Sequence, residues 1–234
     1  MSIVILFLAV IAAIAFWWLS GQKLTSKPWL EQGVIDDDPG IGMQSMPAAK
    51  IGLGVFLTVV SCFFALLISS YFARMEGSDW RVLPVPNLLW FNTGVLILSS
   101  AALQWAKVAS GKDASDDVKL AMLVGGFCAL LFLVGQLLAW RLLLKHGYYA
   151  STNPANAFFY LLTGLHGLHL AGGIAVLGSV AEKLWRGVSP AKLRPSLALC
   201  ATYWHFLLAL WLILLAMLTG YMGDFLKICR AALT

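Results

Sequence analysis

Long apolar runs alternate with short polar stretches along the chain, and this alternation sets the architecture. A membrane-spanning helix needs roughly 20 mostly apolar residues. Windows at about 2–20, 50–73, 87–109, 119–144, 156–182 and 197–222 meet that need. The polar connections between them begin with KLTSKPWLEQGVIDDDPG and end with KLWRGVSPAKLRP. Hydrocarbon offers the backbone no partner, so each segment must satisfy its own N–H and C=O groups, and continuous apolar runs are helices. Barrel strands would give shorter alternating segments. The pattern predicts an all-α integral membrane protein of about six transmembrane helices. The first window has a long apolar stretch, Ile3 to Leu19, with no basic residue before it. A signal sequence has a charged start and an apolar stretch of about 7–15 residues. Residues 1–49 are therefore read as a retained transmembrane helix and a cytoplasmic linker, and 50–234 as a five-helix bundle.

Composition agrees with this and adds a limit. Hydrophobic residues make up 60% of the 234 residues and charged residues 12%. Soluble domains run nearer 45–50% and 25%, so no separate soluble module is expected. The basic residues set an orientation. Lys23, Lys27, Lys50, Lys107, Lys112, Lys119, Lys183, Arg186, Lys192 and Arg194 fall on one side, and Arg74, Arg81, Arg141, Lys145, Lys227 and Arg230 on the other. The side with ten should be cytoplasmic, which puts both termini outside. The net charge of +5 fits contact with an anionic leaflet, and no nucleic-acid partner is expected. Cys62, Cys128, Cys200 and Cys229 show no metal-binding spacing.

The span cores contain no Asp, Glu, Lys or Arg. Pumps and transporters place such groups near the midplane, so this chain is not expected to carry ions through its own middle. The four histidines are His146, in a loop, and His166, His169 and His205 within spans. That is too few for a catalytic haem–copper centre or a two-haem cytochrome b. A single bis-histidine haem pairing His205 with His166 or His169 stays open on arithmetic alone. The competing reading is structural. His166 and His169 are i, i+3 neighbours on one helix, beside Gly164, Gly167, Gly172 and Gly173. Small residues let a helix or lipid chain come close, and imidazoles there hydrogen-bond across helices or to a lipid headgroup. Asn92, Thr93, Ser99, Ser100, Gln136 and Thr163 are expected to join helices in the same way. The tryptophans, Trp80, Trp90, Trp185 and Trp204 among them, are read as an aromatic belt near span ends. DDDPG and KDASDD are solvated turns, without the ligand pattern of a calcium loop.

Three stretches resemble a known family. FFYLLTGLHGLHLAGG (158–173) and YWHFLLALWLILL (203–215) are similar to signature helices of subunit III of haem–copper oxidases, the cytochrome c oxidases and related quinol oxidases. LPVPNLLWFNTGVLILSSAALQWA (83–106) resembles another helix of that family, and Gln136 sits where it tends to have Gln. The resemblance covers about residues 45–222. It implies a bundle split by a cleft filled with ordered phospholipid, in a bacterial inner membrane. It implies no haem or copper in this chain, those cofactors lying in the partner subunits I and II. It implies support of oxygen reduction and proton uptake by the catalytic subunit, with no catalytic residue here. On the same basis His166, His169, Lys183, Tyr203, Trp204 and His205 are the expected lipid-binding residues. Three departures stand out: Cys62 and Leu208 occupy positions where relatives carry a carboxylate, and Ala-Trp-Arg (139–141) follows Gln136 where some carry Glu. The same fold serving a quinol oxidase or nitric oxide reductase is the nearest alternative function, and a b-type haem anchor a remote one.

Overall fold

The structure, a computed structural model, describes residues 48–112 and 114–220. The window at 2–20 and its linker lie outside the described residues, as do the last residues of the 197–222 window. Five helices are described: α1 (Ala48–Met75), α2 (Leu88–Ser110), α3 (Ser115–Lys145), α4 (Pro154–Trp185) and α5 (Pro190–Leu218). All five are long and apolar enough to cross a membrane, and each matches one of the five expected windows from 50 onward. At about 1.5 Å per residue, even the 23 residues of α2 span a hydrocarbon core.

The helices run past the apolar windows where polar residues favour helix ends. The first turn of α3 takes in Asp116 and Asp117, whose charge suits the positive end of the helix dipole. α4 starts with Asn153 as cap and Pro154 in its first turn, a pairing that satisfies one orphan N–H and needs none from the proline. The stretch PAKLRP, expected to be connection, forms the first turns of α5. Pro190 at its start costs nothing. Pro195 removes only one ladder bond in a segment that neighbouring elements hold in place. α3 and α4 both end on a left-handed glycine, Gly147 (φ 83°) and Gly187 (φ 88°). In each case the next residue's N–H turns back to the helix, Tyr148 to Leu143 O and Val188 to Lys183 O, at 3.0 and 3.1 Å. This double turn satisfies carbonyls that would otherwise be orphaned.

α2 packs on α3 and α5, and α4 packs on the same two, so these four close a ring. α1 lies outside it against α4 and α5. Only 11% of the apolar window of α1 is buried, against 50% for α2, so α1 is the peripheral helix. The buried aliphatic and aromatic core, from Leu89 and Leu96 to Trp204 and Trp211, fills the ring. Small residues set the spacing: a Cβ on Gly125 would sit 3.0 Å from Leu103, and Ser99 Oγ donates to Gly125 O at 2.7 Å. With alternating helices, Lys50, Lys107, Lys112, Lys119, Lys183, Arg186, Lys192 and Arg194 share one end. Arg74, Arg81, Arg141 and Lys145 share the other. Over the described helices the basic residues thus favour one end of the bundle, eight against four.

At the opposite end one side chain fastens the α1–α2 connection. Asn153 Nδ2 donates to Arg81 O at 2.5 Å, and its Oδ1 accepts from Arg81 N at 3.3 Å and Ala155 N at 3.2 Å. Within the same connection Arg74 pairs with Asp79 and holds that carboxyl below its usual range. Asn153→Ala removes the cap and both loop bonds. It should cost about 1–2 kcal/mol of stability, seen as a lower thermal midpoint in detergent. An unchanged midpoint would mean the connection is held by other contacts.

Candidate functional site

A cavity of about 730 Å³ opens between the start of α1, the second half of α4 and the first half of α5. Its wall is mainly apolar, and Phe56, Val176 and Leu199 are typical of it. On α4 the lining residues His169, Gly172, Gly173, Val176, Val180 and Lys183 recur every three to four positions, which makes one continuous helix face. Lys183 stands at the end of that face near the carboxyl terminus of α4, the end that carries most of the basic residues, and is exposed. Among the described residues it has no carboxylate partner, whereas its neighbour Glu182 is paired with Arg186.

Four of the six residues expected at a lipid site meet at this cavity: His169, Lys183, Tyr203 and Trp204. Tyr203 bridges α5 to α4, its hydroxyl donating to His169 O at 2.9 Å. The His169 ring lies edge-on to Phe64 of α1, with centroids 5.6 Å apart, and its Nδ1 bonds to Leu165 O at 2.7 Å. Gly173 allows this closeness, since a Cβ there would come within 2.8 Å of the Tyr203 ring. Trp204 is fully buried and donates from Nε1 to Ser99 Oγ at 2.9 Å. This corrects its place in the expected aromatic belt. It lies mid-helix in the core, because an indole whose N–H has a partner is at ease there. Trp90 and Trp185 do sit near helix ends and are half exposed.

The other two histidines lie elsewhere. His166 is wholly buried inside the ring, between Phe132 of α3 and Trp211 of α5, with centroid separations of 5.8 and 5.2 Å. His205 faces α2 from the exposed side of α5. Its Nδ1 is 2.6 Å from Ser100 Oγ, and its Nε2 is 3.3 Å from Gln104 Oε1. Both contacts are satisfied with the proton on Nε2, so that Ser100 donates to Nδ1 and Nε2–H donates to Gln104. The i, i+3 spacing suggested that His166 and His169 act as a pair. The structure separates them, one turned into the ring and one toward α1, since a three-residue step leaves an angular offset that two different neighbours exploit. Each of the three imidazoles is engaged by a different set of side chains. Among the described residues no three His, Cys, Asp or Glu side chains gather as a metal site.

The expected helix-joining groups divide the same way. Ser99, Ser100, Thr93 and Thr163 all bridge helices, the last two by accepting from Trp211 Nε1 at 2.9 Å and Trp140 Nε1 at 3.0 Å. Asn92 and Gln136 do not. Sequence reasoning missed Phe56, Ser179 and Ser196 in the cavity lining. Ser179 was legible, since it continues the three-to-four-residue rhythm from His169 to Lys183. Phe56 and Ser196 lie on other helices, and nothing in their own stretches marks them.

The fold and site define a class: a multi-helix membrane protein whose intramembrane polar side chains bond helix to helix, with an apolar cavity beside the helix ring. Comparison with known proteins narrows this. Residues 32–223 match the family model described as cytochrome c oxidase subunit III. The cytochrome c oxidase subunit 3 of Thermostichus vulcanus is 31% identical over 180 residues, 72% of this chain and 85% of that protein. A probable cytochrome c oxidase subunit 3 of Mycobacterium bovis is also 31% identical, over 70% of this chain and 84% of its own length. That of Synechocystis is 30% identical over 70% and 71%. The chain belongs to the cytochrome c oxidase subunit III family, and its place is in the membrane assembly of a haem–copper oxidase.

Proposed function

We propose that the chain is the non-catalytic subunit III of a bacterial inner-membrane terminal oxidase and that it holds phospholipid against the complex. In this reading the window at 2–20 is a sixth span. Oxygen is reduced at haem and copper centres in subunit I, with subunit II as the other partner. The chain's own residues supply packing, lipid contact and support of proton uptake. The cavity between α1, α4 and α5 carries the reading: a long apolar wall leads to Lys183 at the cytoplasmic end. That is the polarity profile of one acyl tail with an anionic phosphate at the interface. Its lipid contacts are His169, Tyr203, Trp204 and Lys183. His166 and His205 are assigned to helix joining instead.

A juxtamembrane lysine adds about 1 kcal/mol to anionic-lipid binding, roughly fivefold in affinity. Lys183→Gln should therefore deplete anionic phospholipid in the purified oxidase, measured by lipid mass spectrometry, while haem per complex stays the same. An unaltered lipid complement would overturn the assignment of Lys183. Loss of haem in step with the substitution would overturn the non-catalytic reading.

A further inference from the structure

Six buried side-chain polar atoms have no hydrogen-bond partner among the described residues, and five of them belong to three side chains. These are Asn92 Nδ2, both amide atoms of Gln136 and both ring nitrogens of His166. The three residues are 1%, 4% and 0% exposed, so neither bulk water nor lipid headgroups reach them. Leaving such a group unpaired costs about 1–3 kcal/mol, and more than one in a single bundle calls for a physical explanation.

The three come from different helices, and their neighbours place them in one layer. Gln136 lies between Phe132 and Trp140, one turn away on either side along α3. Phe132 packs on His166, and Trp140 bonds to Thr163, one turn from His166 on α4. The side chain between them thus faces α4 between the levels of His166 and Thr163. Next to it on α3, Gly135 leaves the space that Asn92 of α2 enters, since a Cβ there would be 2.1 Å from Asn92 Oδ1. The opposite wall is Trp211, which touches both Phe132 and His166 and bonds to Thr93 beside Asn92.

The chemistry of the unpaired atoms selects their ligand. Among these five atoms, two amide NH₂ groups and a neutral imidazole offer five N–H donors, against three lone pairs, two on the Gln136 carbonyl and one on the imidazole. Pairing these side chains with one another leaves donors over. The missing partner must accept hydrogen bonds and also donate to the carbonyl and the imidazole. It must also be uncharged, because the span cores hold no Asp, Glu, Lys or Arg to balance an ion. Water meets each requirement, with two lone pairs and two protons.

We propose that the ring of α2 to α5 encloses a water-binding site formed by Asn92, Gln136 and His166. The site stands apart from the α1/α4/α5 cavity and does not depend on what fills that cavity. Bound water makes the ring interior a four-helix hydrogen-bonded layer, and it fixes the orientation of the His166 ring between Phe132 and Trp211.

The test is electron cryo-microscopy of the intact oxidase in lipid, at a resolution where ordered water is visible. A solvent peak within hydrogen-bond distance of at least two of the three side chains is expected. A dry interior, with Gln136 bonded directly to His166 or Asn92, would overturn the proposal. Gln136→Leu gives the second reading, in which the peak should vanish. A peak that persists on the same remaining partners would remove Gln136 from the site and overturn the assignment as stated.

Discussion

Gly173→Leu will loosen this subunit from the oxidase, and Gly172→Leu will not. The two glycines are adjacent on α4 and gain the same helix propensity, about 1 kcal/mol, on substitution, so their difference isolates packing. A Cβ on Gly173 would lie 2.8 Å from Tyr203 Cε1 and 3.1 and 3.2 Å from the Trp204 ring. The far end of a leucine has nowhere to go unless α5 moves. Movement of α5 breaks the bond from Tyr203 to His169 O and strains the one from Trp204 to Ser99. Overpacking of this kind costs about 1–3 kcal/mol, and each broken interhelical bond adds about 0.6–2 kcal/mol. Gly172 has nothing within 4 Å of its Cβ position and lines the cavity. Its leucine keeps the fold and occupies space assigned to lipid. The checks are the ratio of this subunit to the catalytic subunit after purification, the thermal midpoint and the lipid content. Gly173→Leu should lower the first two, and Gly172→Leu only the third. Equal behaviour of the two variants would contradict the packing argument.

That contrast was not legible in the sequence, where both glycines read alike as small residues beside a histidine pair. The reason is general to helices in lipid. In a soluble helix the polar face marks the outside, but here both faces are apolar. Leu161, Leu168 and Val176, which α4 leaves exposed, are chemically no different from Leu162, Leu170 and Leu177, which it buries. Run length was therefore enough to place the five described helices, while the face each one buries was not written in apolar periodicity. What does mark the buried face is the placement of small and polar residues. Ser99, Ser100, Thr93 and Thr163 were read correctly as helix joiners on that signal. The signal failed for Trp204, whose bulk suggested an interface position although Ser99, far away in sequence, supplies the partner that lets it sit in the core. It failed again for His166 and His169. Spacing along one helix gives the angle between two side chains but not which neighbours meet them. Helix starts lie beyond the apolar windows where the cap Asn153 with Pro154 opens α4 and Pro190 in the first turn opens α5.

Trp211 of α5 is the residue on which the other three helices of the ring converge. Its indole meets Phe132 edge-on, with centroids 4.9 Å apart, lies 5.2 Å from the His166 ring and donates to Thr93 Oγ1 at 2.9 Å. Thr93 is also engaged as a donor, to Leu89 O at 2.7 Å, so its hydroxyl stays partly satisfied if the indole is lost. Trp211→Phe should therefore cost only the single bond, about 0.6–2 kcal/mol. Trp211→Ala is a different event. It empties the centre of the ring and leaves Phe132 and His166 without a shared wall. Truncating a buried Trp in a soluble core costs about 3–5 kcal/mol. Between helices in lipid the transfer share of that cost is absent, because an unpacked helix would show the same side chain to acyl chains. What stays is the lost dispersion contact and the cavity, about 2–3 kcal/mol. Unfolding titrations of the purified complex should place the alanine variant well below the phenylalanine variant, with both retaining full haem content because no metal ligand is touched. If the phenylalanine variant were as unstable as the alanine one, the hydrogen bond to Thr93 would dominate over packing. The ring would then be held by its few polar bridges and not by its filled interior.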